Sequence, residues 1–178
     1  MKNHKIIFTG PVGAGKTTAI TSISDMPTLS TDEQASDMTN RMKKNTTVAL
    51  DYGVMNLEGG ERIHLYGTPG QERFDFMWDI LVEGGIGLIL LLDNSRPDPL
   101  RDLEFFLESF DDFITDTHVA IGITRMDEVQ KPAINDYHEQ PVMRDRKIPI
   151  FEVDARERRD VSLLVEALLY SLDPGLEE

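Results

Sequence analysis

Gly10-Pro11-Val12-Gly13-Ala14-Gly15-Lys16-Thr17 has the form G-x-x-x-x-G-K-[ST], and its position between an apolar run and a helical stretch gives it meaning. Lys5 to Thr9 reads as a short strand, and the residues after Lys16 read as a helix. A glycine-rich turn between them can point successive backbone N–H groups at a bound phosphate. The helix N-terminus adds its partial positive charge there. Gly13 and Gly15 supply the turn, Lys16 places a cation beside the β and γ oxygens, and Thr17 offers an oxygen to Mg²⁺. Gly10, Ala14 and Thr18 complete the expected nucleotide contacts on this loop. A glycine turn serving packing alone has no need of Lys16-Thr17 at this spacing.

Outward from the loop, short apolar runs alternate with amphipathic stretches, the pattern of a parallel sheet with helices on both faces. Six strands are predicted: Lys5 to Thr9, Val48 to Leu57, Arg62 to Tyr66, Gly87 to Asp93, His118 to Thr124 and Ile148 to Val153. Only the Gly59-Gly60 turn separates the second from the third, so these two form a hairpin and make one edge strand antiparallel. The fully apolar GLILLLD run of Gly87 to Asp93 belongs in mid-sheet. Helices are predicted from 3.6-residue stripes: Phe74, Met77, Trp78 and Leu81; Leu100, Leu103, Phe106, Leu107 and Phe110; and Val161, Leu164, Val165, Leu168, Leu169 and Leu172, the last with Asp160 as N-cap. The polar segment between Ser24 and Thr47 is long for a loop in a compact domain, so it is either functional or a tolerated insertion. The expected fold class is α/β, a three-layer αβα P-loop NTPase with a mostly parallel six-stranded sheet, forming one domain over residues 1–178.

Eighteen Lys and Arg stand against 32 Asp and Glu among 178 residues, a net charge of −14. Such a surface argues against nucleic acid and anionic lipid as partners and favours a basic protein surface. The absence of cysteine removes disulfides, thiolate chemistry, prenylation and palmitoylation, and Met1-Lys2-Asn3-His4 lacks the glycine that myristoylation needs. A cytoplasmic protein without a direct membrane anchor is expected.

Thr68-Pro69-Gly70-Gln71-Glu72-Arg73-Phe74 resembles the T-A-G-Q-E-x-[FY] switch II segment of Ras-like small GTPases. The resemblance implies that the Gly70 N–H binds the γ-phosphate and that Gln71 orients the attacking water. Thr47, four residues before Asp51, resembles the switch I threonine that closes over Mg²⁺, with Thr46 an adjacent alternative. Thr124-Arg125-Met126-Asp127 stands where the family has N-K-x-D. Asp127 would pair with the N1–H and exocyclic amine of guanine, and Arg125 would pack its stem over the base. Asp154-Ala155-Arg156 occupies the S-A-K position, which offers the Ala155 N–H to guanine O6. The implied ligands are GTP and GDP with Mg²⁺, and the implied activity is slow GTP hydrolysis that switches a protein partner.

The pattern breaks at Gly67, where the family's switch II begins with a metal-supporting aspartate. Asp51, on the strand expected beside Tyr66, is the candidate replacement; otherwise it is a solvent-facing strand carboxylate. A similar relocation occurs in bacterial MglA-type GTPases, and Tyr66-Gly67-Thr68-Pro69-Gly70-Gln71 is closer still to small GTPases encoded beside roadblock/LC7 proteins. That resemblance implies a roadblock/LC7-type regulator. Val12 crowds the position where fast hydrolysis tolerates little beyond glycine, and Pro11 stiffens the turn. Thr46 stands where MglA-type proteins carry an arginine, leaving Arg41 and Arg73 as candidates. Phe74, Phe76 and Trp78 are more apolar bulk than one helix face takes, so part of this cluster is expected either to face a partner or to pack beneath the helix. A catalytically idle nucleotide-binding scaffold and a P-loop nucleoside or small-molecule kinase are the alternatives, although no arginine-rich lid is visible.

Overall fold

The structure is a computed structural model that describes residues 3–30, 50–70, 75 and 77–172. Seven strands form one sheet: β1 (Asn3–Thr9), β2 (Leu29–Ser30), β3 (Asp51–Asn56), β4 (Arg62–Gly67), β5 (Gly87–Asp93), β6 (Val119–Thr124) and β7 (Ile150–Glu152), in the order β2-β3-β4-β1-β5-β6-β7. From β4 to β7 every neighbouring pair is parallel, whereas β3 runs antiparallel to both β2 and β4. The mostly parallel α/β sheet with its Gly59-Gly60 hairpin is as the sequence predicts, with one strand more. β2 is the addition: Leu29 pairs with Tyr52 and Ser30 with Asp51, a two-residue ladder too short to leave an alternating pattern.

Among the described residues six α-helices pack on this sheet: α1 (Lys16–Ile23), α2 (Trp78–Val82), α3 (Pro99–Ser109), α4 (Asp111–Asp116), α5 (Ile134–His138) and α6 (Arg158–Leu172). On one face, Ile20 and Ile23 of α1 and Val161, Leu164, Val165 and Leu168 of α6 meet Ile6, Phe8, Ile63, Leu65, Ile89 and Leu91. On the other, Leu103, Phe106 and Leu107 of α3, with Trp78 and Tyr137, meet Ile7, Leu88, Leu90, Leu92, Ile121 and Ile123. Consecutive residues of β5 therefore serve opposite cores, and all seven are buried. Burying each of its large aliphatic side chains contributes about 1.5–3 kcal/mol, which is why this strand reads as an unbroken apolar run.

One local expectation is corrected and another is decided between its two outcomes. Asp160 is not the N-cap of α6, which begins at Arg158; the Asp160 N–H already bonds to Glu157 O at 3.1 Å, and its carboxylate accepts from the Asp154 N–H at 2.9 Å. It sits in the first turn, where it still complements the helix dipole. Trp78 takes the inward one of the two outcomes expected for its cluster, packing beneath the helix and not on an exposed surface. It is buried, with its ring centroid 5.0 Å from Phe110 and 5.4 Å from Phe106, and its Nε1–H donates to Pro69 O at 3.3 Å. The helix starts at Trp78, and Trp78 and Leu81 form its buried side. Phe74 and Phe76 lie outside the described residues.

Candidate functional site

The loop between β1 and α1 carries positive φ at Gly10, Gly13 and Gly15, the last forming the N-cap of α1 in the left-handed region. Lys16 is buried and donates to Gly10 O and Pro11 O, both at 2.7 Å. Its ammonium is thus held across the loop, inside the turn that the backbone N–H groups line. The segment after β4 is tied to the end of β1: the Thr68 N–H donates to Phe8 O at 2.8 Å, and the buried hydroxyls of Thr9 and Thr68 share a 2.8 Å hydrogen bond. These bonds bring Gly70 onto the loop. A Cβ on Gly70 would fall 2.7 Å from Lys16 Nζ and 2.7 Å from Val12 N, so only glycine lets the two segments approach this closely.

Thr17, one residue on, faces β3. Its hydroxyl donates to Asp51 Oδ2 at 2.5 Å, a short bond of the charge-assisted type. The antiparallel register sets Asp51 directly opposite Gly67, and a Cβ on Gly67 would lie 3.0 Å from Asp51 Cβ and 3.1 Å from Asp51 Oδ2. The volume a side chain at position 67 would take is filled from the neighbouring strand. Among the described residues no group of three or more His, Asp or Glu side chains could by itself hold a metal. The oxygen pair of Thr17 and Asp51 nevertheless suits a hard cation such as Mg²⁺, which takes one or two protein oxygens and completes its shell with phosphates and water. Thr47 and Gln71 lie outside the described residues.

On the other side of the loop, Ala14, Gly15, Thr18, Thr124, Arg125, Asp127 and Ala155 line one cavity of about 610 Å³ together with Met126, Glu128, Glu152, Val153, Asp154, Arg156 and Asp160. Every described residue expected to meet the base is therefore brought to one place, next to the phosphate loop. Arg125 has φ 57° and turns its guanidinium back, so that Nη1 donates to Gly13 O at 3.0 Å and to Asp93 Oδ2 at 2.5 Å. The Thr124 hydroxyl reaches Ala14 O at 3.2 Å and Leu92 O at 3.1 Å. At the rim, the Arg156 side chain and then its backbone N–H hydrogen-bond Asp154 and hold that carboxyl down to about 2.

Two residues that the motif search passed over underlie this cavity. Asn94 follows β5 and is buried. Its amide donates to Val129 O at 2.6 Å and Pro132 O at 3.1 Å, and its Oδ1 accepts from the Tyr137 hydroxyl at 2.6 Å. The signal for Asn94 was its place at the C-terminal end of a fully apolar strand, where polar groups of an α/β sheet meet ligands. Nothing local marked Tyr137. Burial, aided by the nearby carboxylates of Asp102, Asp93 and Asp136, pushes its phenol well above the ordinary value, so it remains a donor at neutral pH. A group whose folded pKa is raised stabilises the fold below its unfolded value, about 10, and that contribution is lost as pH rises through the folded value. Tyr137→Phe, which leaves Asn94 Oδ1 short of a donor, should therefore lose about 1–3 kcal/mol at pH 7. The difference from the parent should shrink above about pH 10. Urea unfolding across that range measures both.

A family model described as "Conserved hypothetical ATP binding protein" matches residues 26–168, well over half of the chain. The chain belongs to this family. The match begins after Thr17, and the family's description and the phosphate-loop motif both point to nucleotide binding. An uncharacterized protein of Methanocaldococcus jannaschii is 31% identical over 101 residues, covering 56% of this chain and 57% of that protein, so the aligned part spans just over half the length of this relative. The Ras-related protein RabC of Dictyostelium discoideum is 22% identical over 98% of this chain and 86% of its own. The GTP-binding protein YPT1 of Saccharomyces cerevisiae is 21% identical over 88% of this chain and 72% of its own. The fold and the loop are thus those of a P-loop nucleotide-binding protein with distant Ras and Rab kinship. Among the described residues no helix is long and apolar enough to cross a membrane.

Proposed function

We propose that the protein is a guanine-nucleotide switch that binds GTP and GDP with Mg²⁺, hydrolyses GTP slowly and signals its state to a protein partner in the cytoplasm. The observation that carries this reading is the approach of Gly70 to Lys16 Nζ and Val12 N. It places the segment preceding Gln71 against the end of the phosphate loop, where loss of the third phosphate is felt first. Lys16 exchanges its bonds to Gly10 O and Pro11 O for phosphate oxygens, and the Gly70 N–H steadies the terminal phosphoryl group. Gln71 is given the role of orienting water, and Thr47 would offer a further oxygen to the metal. Thr17 and Asp51 would hold Mg²⁺, which would supply neutralisation of charge on the phosphates. Val12 is 55% exposed beside this point, which supports slow turnover without an activating protein. The carboxylate supplied by β3 in place of position 67 supports kinship with MglA-type proteins and a roadblock/LC7-type regulator.

Base choice rests on Asp127, which lines the cavity beside Ala14 and Gly15. A carboxylate accepts from the two donors on the guanine edge and meets an acceptor on adenine. Titration of the purified chain with GDP and ADP in Mg²⁺ should give a guanine preference. Asp127→Ala should reduce it by about 30-fold, the equivalent of about 2 kcal/mol for a charge-assisted pair of hydrogen bonds. The family description names ATP, and a measured adenine preference would remove Asp127 from this role and favour the kinase or scaffold alternative.

A further inference from the structure

We infer that Asn94 is a positioning residue for base selectivity, fixing the loop that presents Asp127 through bonds that Thr124 cannot supply. The loop from Arg125 to Val129 is closed by a hydrogen bond from the Val129 N–H to Arg125 O at 3.2 Å, which leaves Asp127 at its tip. A tip residue points reliably only if both ends of its loop are held. The near end is held through Arg125 on Asp93 and through the Thr124 O that accepts from the Asn94 N–H at 3.0 Å. The Thr124 hydroxyl has a single hydrogen to divide between Ala14 O and Leu92 O, so it ties the base loop to the phosphate loop with one donor. The far end is held, besides that backbone bond from the Val129 N–H, by the Asn94 side chain through Val129 O and Pro132 O. Both amide hydrogens are used, and the oxygen is engaged by Tyr137, which is fully buried in the core beneath.

Both amide hydrogens and one lone pair of the oxygen are thus engaged, which fixes its rotamer and its O/N assignment. Because Asn94 is buried and does not line the base cavity, it acts on the nucleotide only through the loop. A residue of this kind should alter the difference between two bases more than the affinity for phosphates, because phosphate contacts come from the loop after β1.

The inference rests on the base-reading role given to Asp127, and the test separates the two. Affinities of the full chain for GDP and ADP in Mg²⁺ are measured for the parent, Asn94→Leu, Tyr137→Phe and Asp127→Ala. Asn94→Leu should weaken GDP about tenfold with little change in ADP, lowering the GDP:ADP ratio by the same factor. Tyr137→Phe should move it about threefold in the same direction. Equal weakening of both nucleotides, or an unchanged ratio in both variants, would make Asn94 a purely structural group and overturn the inference. If Asp127→Ala collapses the ratio while the other two leave it intact, the base reading stands and the role of Asn94 falls. If Asp127→Ala changes nothing, the base reading falls and takes this inference with it. Should Asn94→Leu fail to fold, the Tyr137→Phe ratio decides.

Discussion

Asp51→Ala should lower Mg²⁺-dependent nucleotide affinity by about a hundredfold while leaving the weaker Mg²⁺-independent binding near its parent value. The size is that expected when a group supporting a metal centre is removed. The Thr17 hydroxyl loses the carboxylate it bonds at 2.5 Å, and the cation loses the one carboxylate placed beside that hydroxyl among the described residues. A sharper form of the experiment uses the register. Gly67→Asp alone should fail, because its Cβ would lie 3.0 Å from Asp51 Cβ and its charge would face a second carboxylate. Asp51→Gly combined with Gly67→Asp clears that volume and returns the carboxylate to the strand on which Ras-like proteins carry it, so Mg²⁺-dependent binding should recover. Nucleotide titrations with and without Mg²⁺ read all three variants. Parent-like Mg²⁺ dependence in Asp51→Ala would make Asp51 an ordinary strand carboxylate.

Gly70→Ala should leave GDP binding close to that of the parent and reduce GTP hydrolysis by about a hundredfold, the order of loss that a misplacement of 1 Å can bring. Of the three atoms nearest to the added methyl, two belong to backbone, Val12 N at 2.7 Å and Pro11 C at 2.9 Å, and one is the ammonium of Lys16 at 2.7 Å. The ammonium can shift at modest cost, but the loop backbone cannot without disturbing the phosphate cradle. The segment carrying Gly70 must therefore withdraw, taking the Gly70 N–H and Gln71 away from the terminal phosphate. GDP lacks that phosphate and is insensitive to the withdrawal. Single-turnover hydrolysis together with GDP titration measures the two effects, and equal hydrolysis rates would remove Gly70 from the mechanism.

The parts of this site that were legible in the sequence are those in which one residue type has one physical use. A Lys-Thr pair after a glycine turn, a glycine where a carboxylate is expected and an aspartate on the partner strand can all be read without coordinates, because backbone register follows from a short hairpin. Burial of both faces of Gly87 to Asp93 was legible for the same reason. What was not legible depends on orientation. Trp78 belongs to an apolar stripe, but which of its two expected outcomes it takes is decided by Phe106 and Phe110, distant in sequence, against which it packs. Asp160 has the chemistry of an N-cap, yet α6 starts two residues earlier at Arg158. Asn94 and Tyr137 are 43 residues apart and converge only in the tertiary fold, so no local pattern could pair them. β2 is too short to carry a period.

The chain contains one tryptophan, and its location gives the protein an optical property of its own. The indole of Trp78 is stacked on Phe110, tilted against Phe106 and edge-on to Phe105, while its polar edge bonds to Pro69 O, one residue before Gly70. Any rearrangement that draws Gly70 off the phosphate loop pulls on that carbonyl and changes the polarity felt by a single fluorophore against a background of four tyrosines. On the proposed switch, the ultraviolet emission of the unlabelled chain is therefore expected to change with the presence of the terminal phosphate, through one hydrogen bond. The proposed exchange and hydrolysis should then be measurable from the native spectrum without a dye at the site.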